Sequence, residues 1–188
     1  MRHPVFLAIA LPAGLFAQSS GTCATPFSAA ATPGREISMN LRAGDIEIAG
    51  TDAPVVRVKC DVRSDPLDVH ISFAADHLTI RGGPGDDVHF RIEIPRSMNL
   101  VIRCTAGNLT IEGVTGDKDV KLNAGNLTIA VGDAGSYRRA EGSVLAGNIL
   151  ASPFGEMRDG LFRSFRKDSP SGRWRLRAEL LAGNLTLR

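Results

Sequence analysis

The stretch "AGNLTI" occupies Ala106–Ile111, recurs letter for letter at Ala124–Ile129, and is echoed by "AGNLTL" at Ala182–Leu187. "AGDIEI" from Ala43 and "AGNIL" from Ala146 share its core. The five copies start 63, 18, 22 and 36 positions apart, the last interval being twice eighteen. Extended chain rises about 3.3 Å per residue, so a unit of this size traces roughly 60–70 Å. That suits one coil of a β-solenoid better than a propeller blade, which takes about twice as many residues.

The chemistry of one unit is readable in "DVKLNAGNLTIAVG". Val120 and Leu122 alternate inward up to Ala124, and Leu127 and Ile129 resume the inward face afterwards. Glycine tolerates a positive φ, and asparagine or aspartate, next in tolerance, hydrogen-bonds its own turn. The expected corners are therefore Gly44-Asp45, Gly107-Asn108, Gly125-Asn126, Gly147-Asn148 and Gly183-Asn184. Stacked units would place these side chains above one another, where amides can form a ladder. Each Asn-Leu-Thr is also a glycosylation sequon, but the corner already explains the repetition, since "AGDIEI" fills the same role without one.

Strict alternation continues outside the repeat. "EISMNL" sets Ile37, Met39 and Leu41 on one side, "VVRVKCDV" sets Val56, Val58, Cys60 and Val62, and "VHFRIEI" sets Val88, Phe90, Ile92 and Ile94. Helical spacing surfaces only weakly, around Met157 to Phe165. Aromatics make up 5% of the 188 residues while glycine supplies 20, a balance suited to short strands, tight turns and an aliphatic core. The expected class is all-β: a single-domain β-solenoid, a stack of short strands joined by the repeated corners.

The N-terminus reads as a secretory signal, with Arg2 and His3 ahead of an apolar run from Val5 to Phe16 and a small residue at Ala17. Residues 1–17 are assigned to that signal, 18–34 to a flexible leader rich in Ser, Thr, Ala and Pro, and 35–188 to the folded domain, with an insertion at 151–172. No later segment is long and apolar enough to span a membrane. Export to the periplasm, cell surface or medium follows. Three cysteines allow one disulfide and one leftover thiol. Cys60 and Cys104 lie on inward strand phases, where they could pair or serve as small buried hydrophobes.

The runs "LRAGDIEIAGTDAPVVRVKCDV" and "FRIEIPRSMNLVIRCTAGNLTIEGVTGDKDVKLNAGNLTIAVG" resemble the bacterial putative-adhesin family of exported β-solenoid domains. The shared signs are the Gly-Asp/Asn-Ile/Leu corner, the strand end Ile92-Glu93-Ile94-Pro95, and the Gly113–Asp117 step. The resemblance spans about Ile37 to Arg188; this chain uses Asn where Asp is commoner and carries a long insertion between its last two corners. It implies a surface-adhesion role and brings no catalytic residue or cofactor.

Other chemistry is sparse. Asp86-Asp87 and the Asp117/Asp119 pair sit beside glycines in turn-like sequence, and His70, His77 and His89 lack metal-ligand spacing. A non-catalytic, cofactor-free and metal-free chain is the expectation, with a polysaccharide-degrading β-helix enzyme the remote alternative. One stretch stands out: from Arg158 to Arg177 seven basic residues face two acids, a local +5 in a chain of net +2. Arg158, Phe162, Arg163, Phe165, Arg166, Lys167, Arg173 and Arg175 form the candidate anionic-ligand surface, because arginine interleaved with aromatics suits anions and sugars. An exported protein meets few nucleic acids, which leaves acidic polysaccharide, lipid headgroups or a surface protein as partners. The competing expectation is a cap, with Phe154, Leu161, Phe162 and Phe165 folded over the end of the core. A self-associating scaffold, pairing through an edge left open at "NLTLR", is the rival function.

Overall fold

The computed structural model describes residues 19–62, 68–82 and 88–188. The signal segment and Asp86-Asp87 lie outside these residues. The described chain is all-β: twelve strands in one open sheet, two 3-10 turns and no α-helix.

Five long strands carry the repeat: β3 (Glu36–Thr51), β8 (Asn99–Glu112), β9 (Lys118–Ile129), β10 (Tyr137–Ala151) and β12 (Trp174–Leu187). They run parallel and in register, so that glycine stacks on glycine and asparagine on asparagine. The Ala-Gly-Asn core does not separate two strands, as the corner reading expects; it bends a strand that continues through it. Before the bend in β8, Leu100, Ile102 and Cys104 point into the core; after it the inward phase restarts at Leu109 and Ile111. The bend costs one step of alternation, and glycine absorbs it. Gly125 stands at φ +124, and a Cβ there would run into the carbonyl oxygen of Gly107 on the neighbouring strand. Both backbone angle and close approach exclude a side chain.

The stacked amides form a ladder with a direction. Asn108 Nδ2 donates to Asp45 Oδ1 at 2.6 Å, Asn126 Nδ2 to Asn108 Oδ1 at 2.8 Å, and Asn184 Nδ2 to Asn126 Oδ1 at 2.8 Å. Asn148 follows, 3.0 Å from Asn184 Oδ1.

The order of the stack departs from chain order. β12 lies between β9 and β10, giving β3–β8–β9–β12–β10. The C-terminal "NLTLR" is therefore an interior strand paired on both sides, not the open edge that the scaffold reading requires. The insertion supplies the edge instead: β11 (Glu156–Asp168), preceded by a 3-10 turn at Ser152–Phe154, pairs antiparallel with β10. The weak helical spacing around Met157 to Phe165 is overridden there by this ladder.

At the other end the sheet divides. β3 pairs through its first half with β6 (His77–Gly82) and through its second half with β7 (Val88–Pro95). Antiparallel strands then extend each branch: β5 (Val69–Ala74) and β1 (Ser19–Thr22) beyond β6, β4 (Val55–Val62) and β2 (Phe27–Ala30) beyond β7. The leader expected to be flexible thus contributes two strands. Phe27 and Ala29 alternate inward and join the core, giving this segment a reason to order that low complexity concealed. Cys23 in the β1–β2 connection is disulfide-bonded to Cys60 of β4. Cys104 is the free, buried thiol, pushed up to about 11 by desolvation.

Candidate functional site

In-register stacking turns each column of the repeat into a row across the sheet. Three residues ahead of each bend alanine, on the outer face, the row reads Asn40, Arg103, Lys121, Glu179 and Ser143, with Thr79 beside Asn40 and Ser164 beside Ser143. One residue ahead of the alanine stand Arg42, Thr105, Asn123, Leu181 and Leu145 in sheet order. The row next to the bend therefore changes character across the sheet, from polar on β3, β8 and β9 to aliphatic on β12 and β10, while the row behind it runs from Arg103 and Lys121 to Glu179 and Ser143.

A cleft of about 490 Å³ occupies the basic end, lined by Arg42, Arg81, Arg103 and Lys121 among the polar side chains of Asn40, Thr79, Thr105 and Asn123, with no carboxylate among its lining residues. Arg103 is tied down: its Nη1 donates to Asp119 Oδ1 at 2.9 Å and to the Ile102 carbonyl at 2.9 Å. Arg42 and Lys121 have no ion-pair partner among the described residues. Asp119 offsets Arg103, and Glu179 of β12 stands opposite Lys121, while Arg42 and Arg81 add their charge on the adjacent strands; together the four cations make a positive field, which attracts anions. A second cleft of about 370 Å³ shares Lys121 and continues along the same face past Leu181 and Leu145 to Phe162, with Glu179, Ser143 and Ser164 also in its lining.

The residues singled out between Arg158 and Arg175 are not gathered into one surface. β11 presents two faces. Arg163, Phe165 and Lys167 lie opposite Val144, Gly142 and Ala140, on the side of the core, and beyond the bend Arg158 and Glu156 lie opposite Ile149 and Ala151. Phe165 is buried there with its ring 5.9 Å from Phe154, as a cap requires. The charges on this side are largely paired: Arg158 with Glu156 at 2.9 Å, Lys167 with Glu156 at 3.0 Å. These two cations hold the Glu156 carboxyl below its usual range. Arg163 Nε donates to the Asp159 carbonyl at 2.6 Å. On the outer face Arg166 pairs with Asp168 at 2.9 Å. Phe162 and Leu161, expected in the cap, are instead 79% and 62% exposed. Arg173 stacks on the half-buried Trp174, 4.3 Å from the ring centroid, and Arg175 lines a separate cleft with Asp117 and Asp119. Those two carboxylates are engaged, Asp117 by the Arg175 amide at 2.8 Å and Asp119 by Arg103.

Arg42, Arg81, Arg103 and Lys121 escape a linear reading because they are dispersed along the chain. The signal that finds them is the repeat itself: aligned on Ala-Gly-Asn/Asp, the positions one and three residues upstream collect Arg42, Arg103 and Lys121.

One buried cation lies near this face. Lys118 occupies an inward position between Leu100 and Leu176, its Nζ donating to Tyr137 Oη at 2.8 Å and to the Gly116 carbonyl at 3.1 Å. Burial pulls its ammonium down to about 8, against the opposing attraction of Asp117.

No family model matches the chain, and neither does any curated protein. Among solved structures it is similar to a putative cell adhesion protein from Clostridium sporogenes, at a TM-score of 0.47 and 9% identity, over 87% of this chain and 98% of that one. No described helix is long and apolar enough to cross a membrane.

Proposed function

We propose that this chain is an exported, non-catalytic binding module of adhesin-like type that engages anionic groups on a surface through the cleft at Arg42, Arg81, Arg103 and Lys121. The observation that carries the reading is this lining: four cationic side chains and no carboxylate. Export is supported by the signal-like start of the sequence and by the Cys23–Cys60 disulfide, a bond that persists in oxidising compartments. We read the bent, in-register strands as coils of a β-solenoid, a scaffold that presents successive repeats as an extended surface. The anionic-ligand role thereby moves from β11, whose cations are mostly paired, to the outer face of β3, β8 and β9.

Self-association through strand edges is the rival, and β11 weighs against it. Two β11 strands meeting bend to bend, with inward residues opposite inward residues, would set Arg158 against Arg163 of the second copy. Like charges opposed across a ladder are destabilising, and inward-pointing charges are a known protection of edge strands.

The test is retention of the mature protein on immobilised heparin. The Arg42→Glu/Lys121→Glu double variant is expected to lose at least tenfold in affinity, and added salt to weaken the wild type, since exposed charges are screened beyond about 8–10 Å. Retention unchanged in the double variant, with Arg158→Glu/Lys167→Glu weakened instead, rejects the cleft.

A further inference from the structure

We propose that the continuous trough formed by the two clefts accepts a single-chain anionic lipid, its charged head at Arg42, Arg81 and Arg103 and its hydrocarbon chain lying across β12, β10 and β11. This rests on the reading of the basic cleft as an anion site and names the ligand class. Three observations carry it. The clefts share Lys121, so the charged and aliphatic ends form one path on one face. The aliphatic end carries a row of Leu181, Leu145 and Phe162 on adjacent strands, 44%, 43% and 79% exposed, with Glu179, Ser143 and Ser164 along its side away from the bend; three large apolar side chains left in water in a row suit a hydrocarbon chain better than a sugar chain. Phe162 also holds a left-handed backbone at φ +55, an uncommon state for a bulky residue. A left-handed backbone under a side chain that packs so little of itself against the protein fits a clamp whose counterpart is a ligand.

The dimensions agree. Neighbouring strands lie about 4.8 Å apart, so the three steps from Lys121 on β9 to Phe162 on β11 span roughly 14 Å, and the five steps from Arg42 on β3 span roughly 24 Å. A head bound near Arg42 would thus need an extended chain of about eighteen carbons to lie alongside all three apolar side chains. Binding adds no covalent step: the head exchanges water for guanidinium donors while the chain leaves water for the leucine and phenylalanine surface.

The experiment is calorimetric titration with oleoyl lysophosphatidic acid, whose chain has eighteen carbons, below its micelle concentration, with glycerol phosphate as the head alone. The wild type is expected to bind oleoyl lysophosphatidic acid at least tenfold more tightly than glycerol phosphate. Leu145→Ser/Phe162→Gly should abolish that preference while leaving glycerol phosphate binding and heparin retention unchanged; because glycine relieves the backbone at 162, the fold should be kept and a melting curve will confirm it. Arg42→Glu should weaken both ligands. Equal affinity for the two ligands in the wild type, or a preference that survives Leu145→Ser/Phe162→Gly, overturns the proposal while heparin retention keeps the basic cleft in place. Loss of heparin retention as well as both phosphates would instead remove the reading beneath it.

Discussion

The two ends of the strand stack are closed by different physics. At the N-terminal end the sheet forks, and its outermost strands, β1 and β2, have four residues each; a disulfide ties their connection to β4. At the C-terminal end a single strand of thirteen residues, β11, lies antiparallel across β10 and leaves its far edge free among the described residues. Short strands leave little edge to recruit, whereas a long edge needs another protection. β11 has it in Arg158, Arg163 and Lys167, set on the core side opposite Ile149, Val144 and Ala140. One end is held by a covalent bond, the other by charge placement and a small aromatic plug of Phe165, Phe154 and Tyr137. Oxidation state should thus act on the first and pH on the second.

The largest expected effect is at the covalent end. The Cys23–Cys60 bond closes a separation of 37 residues, for which loop-closure entropy gives about 3–4 kcal/mol. Cys60→Ala should lower unfolding free energy by that order and raise amide hydrogen exchange in β1, β2 and β4 while β10–β12 stay protected. Equal loss of protection at both ends would break the comparison.

Next comes Lys118, whose contact with Tyr137 lies towards the other end. Its folded pKa is depressed from 10.5 to about 8, so the folded state binds this proton less tightly than the unfolded chain. Its contribution is fully present above the unfolded value and is lost as pH falls from 10.5 towards 8, by up to about 3 kcal/mol across the whole interval. Stability should therefore rise between pH 7.5 and 9.5 in denaturant titrations, a range below the ordinary tyrosine value. Lys118→Met should flatten that rise; a slope retained in the variant would assign it elsewhere.

The smallest effect sharpens the contrast most. The amide ladder ends on a carboxylate at each end. At Asp45 this is favourable, because Asn108 presents its Nδ2 to the acceptor. At the far end Asn148 lies between Asn184 Oδ1 at 3.0 Å and Asp159 Oδ1 at 3.2 Å, two acceptors that its nitrogen cannot serve alike. Asp159→Asn would supply a donor facing Asn148 and should stabilise by about 0.5 kcal/mol, within the range of one hydrogen bond. Asp45→Asn should do the reverse. A melting-temperature change of the same sign in both variants would refute the ladder's polarity.

Much of the architecture was legible in the repeat. Alternation across Val120, Leu122, Leu127 and Ile129 marks the inward face, and a glycine before each Asn or Asp marks where the phase slips, because only the backbone at that step decides it. The ordering of Phe27–Ala30 was not legible, since so short an alternation in a Ser/Ala/Pro-rich stretch gains its stability from pairing with β4. The pairing of Cys23 with Cys60 was hidden for the same reason. At the candidate site, the arginines of the insertion stand out in composition, yet strand pairing splits them between two faces and supplies Glu156, Glu141 and Asp168 to neutralise them.

The sequence by itself determined that this protein is built of bent, stackable strands with small residues at the bend and aliphatic side chains on either side of it. It could not determine which strand sits beside which. β9, β10 and β12 carry nearly the same Ala-Gly-Asn core, so their ladders are close to interchangeable locally. Only the tertiary structure, by placing β12 between β9 and β10 and laying β11 along the end, decided where the exposed edge falls. The same in-register stacking set Arg42, Arg103 and Lys121 side by side and led their row into Leu181, Leu145 and Phe162.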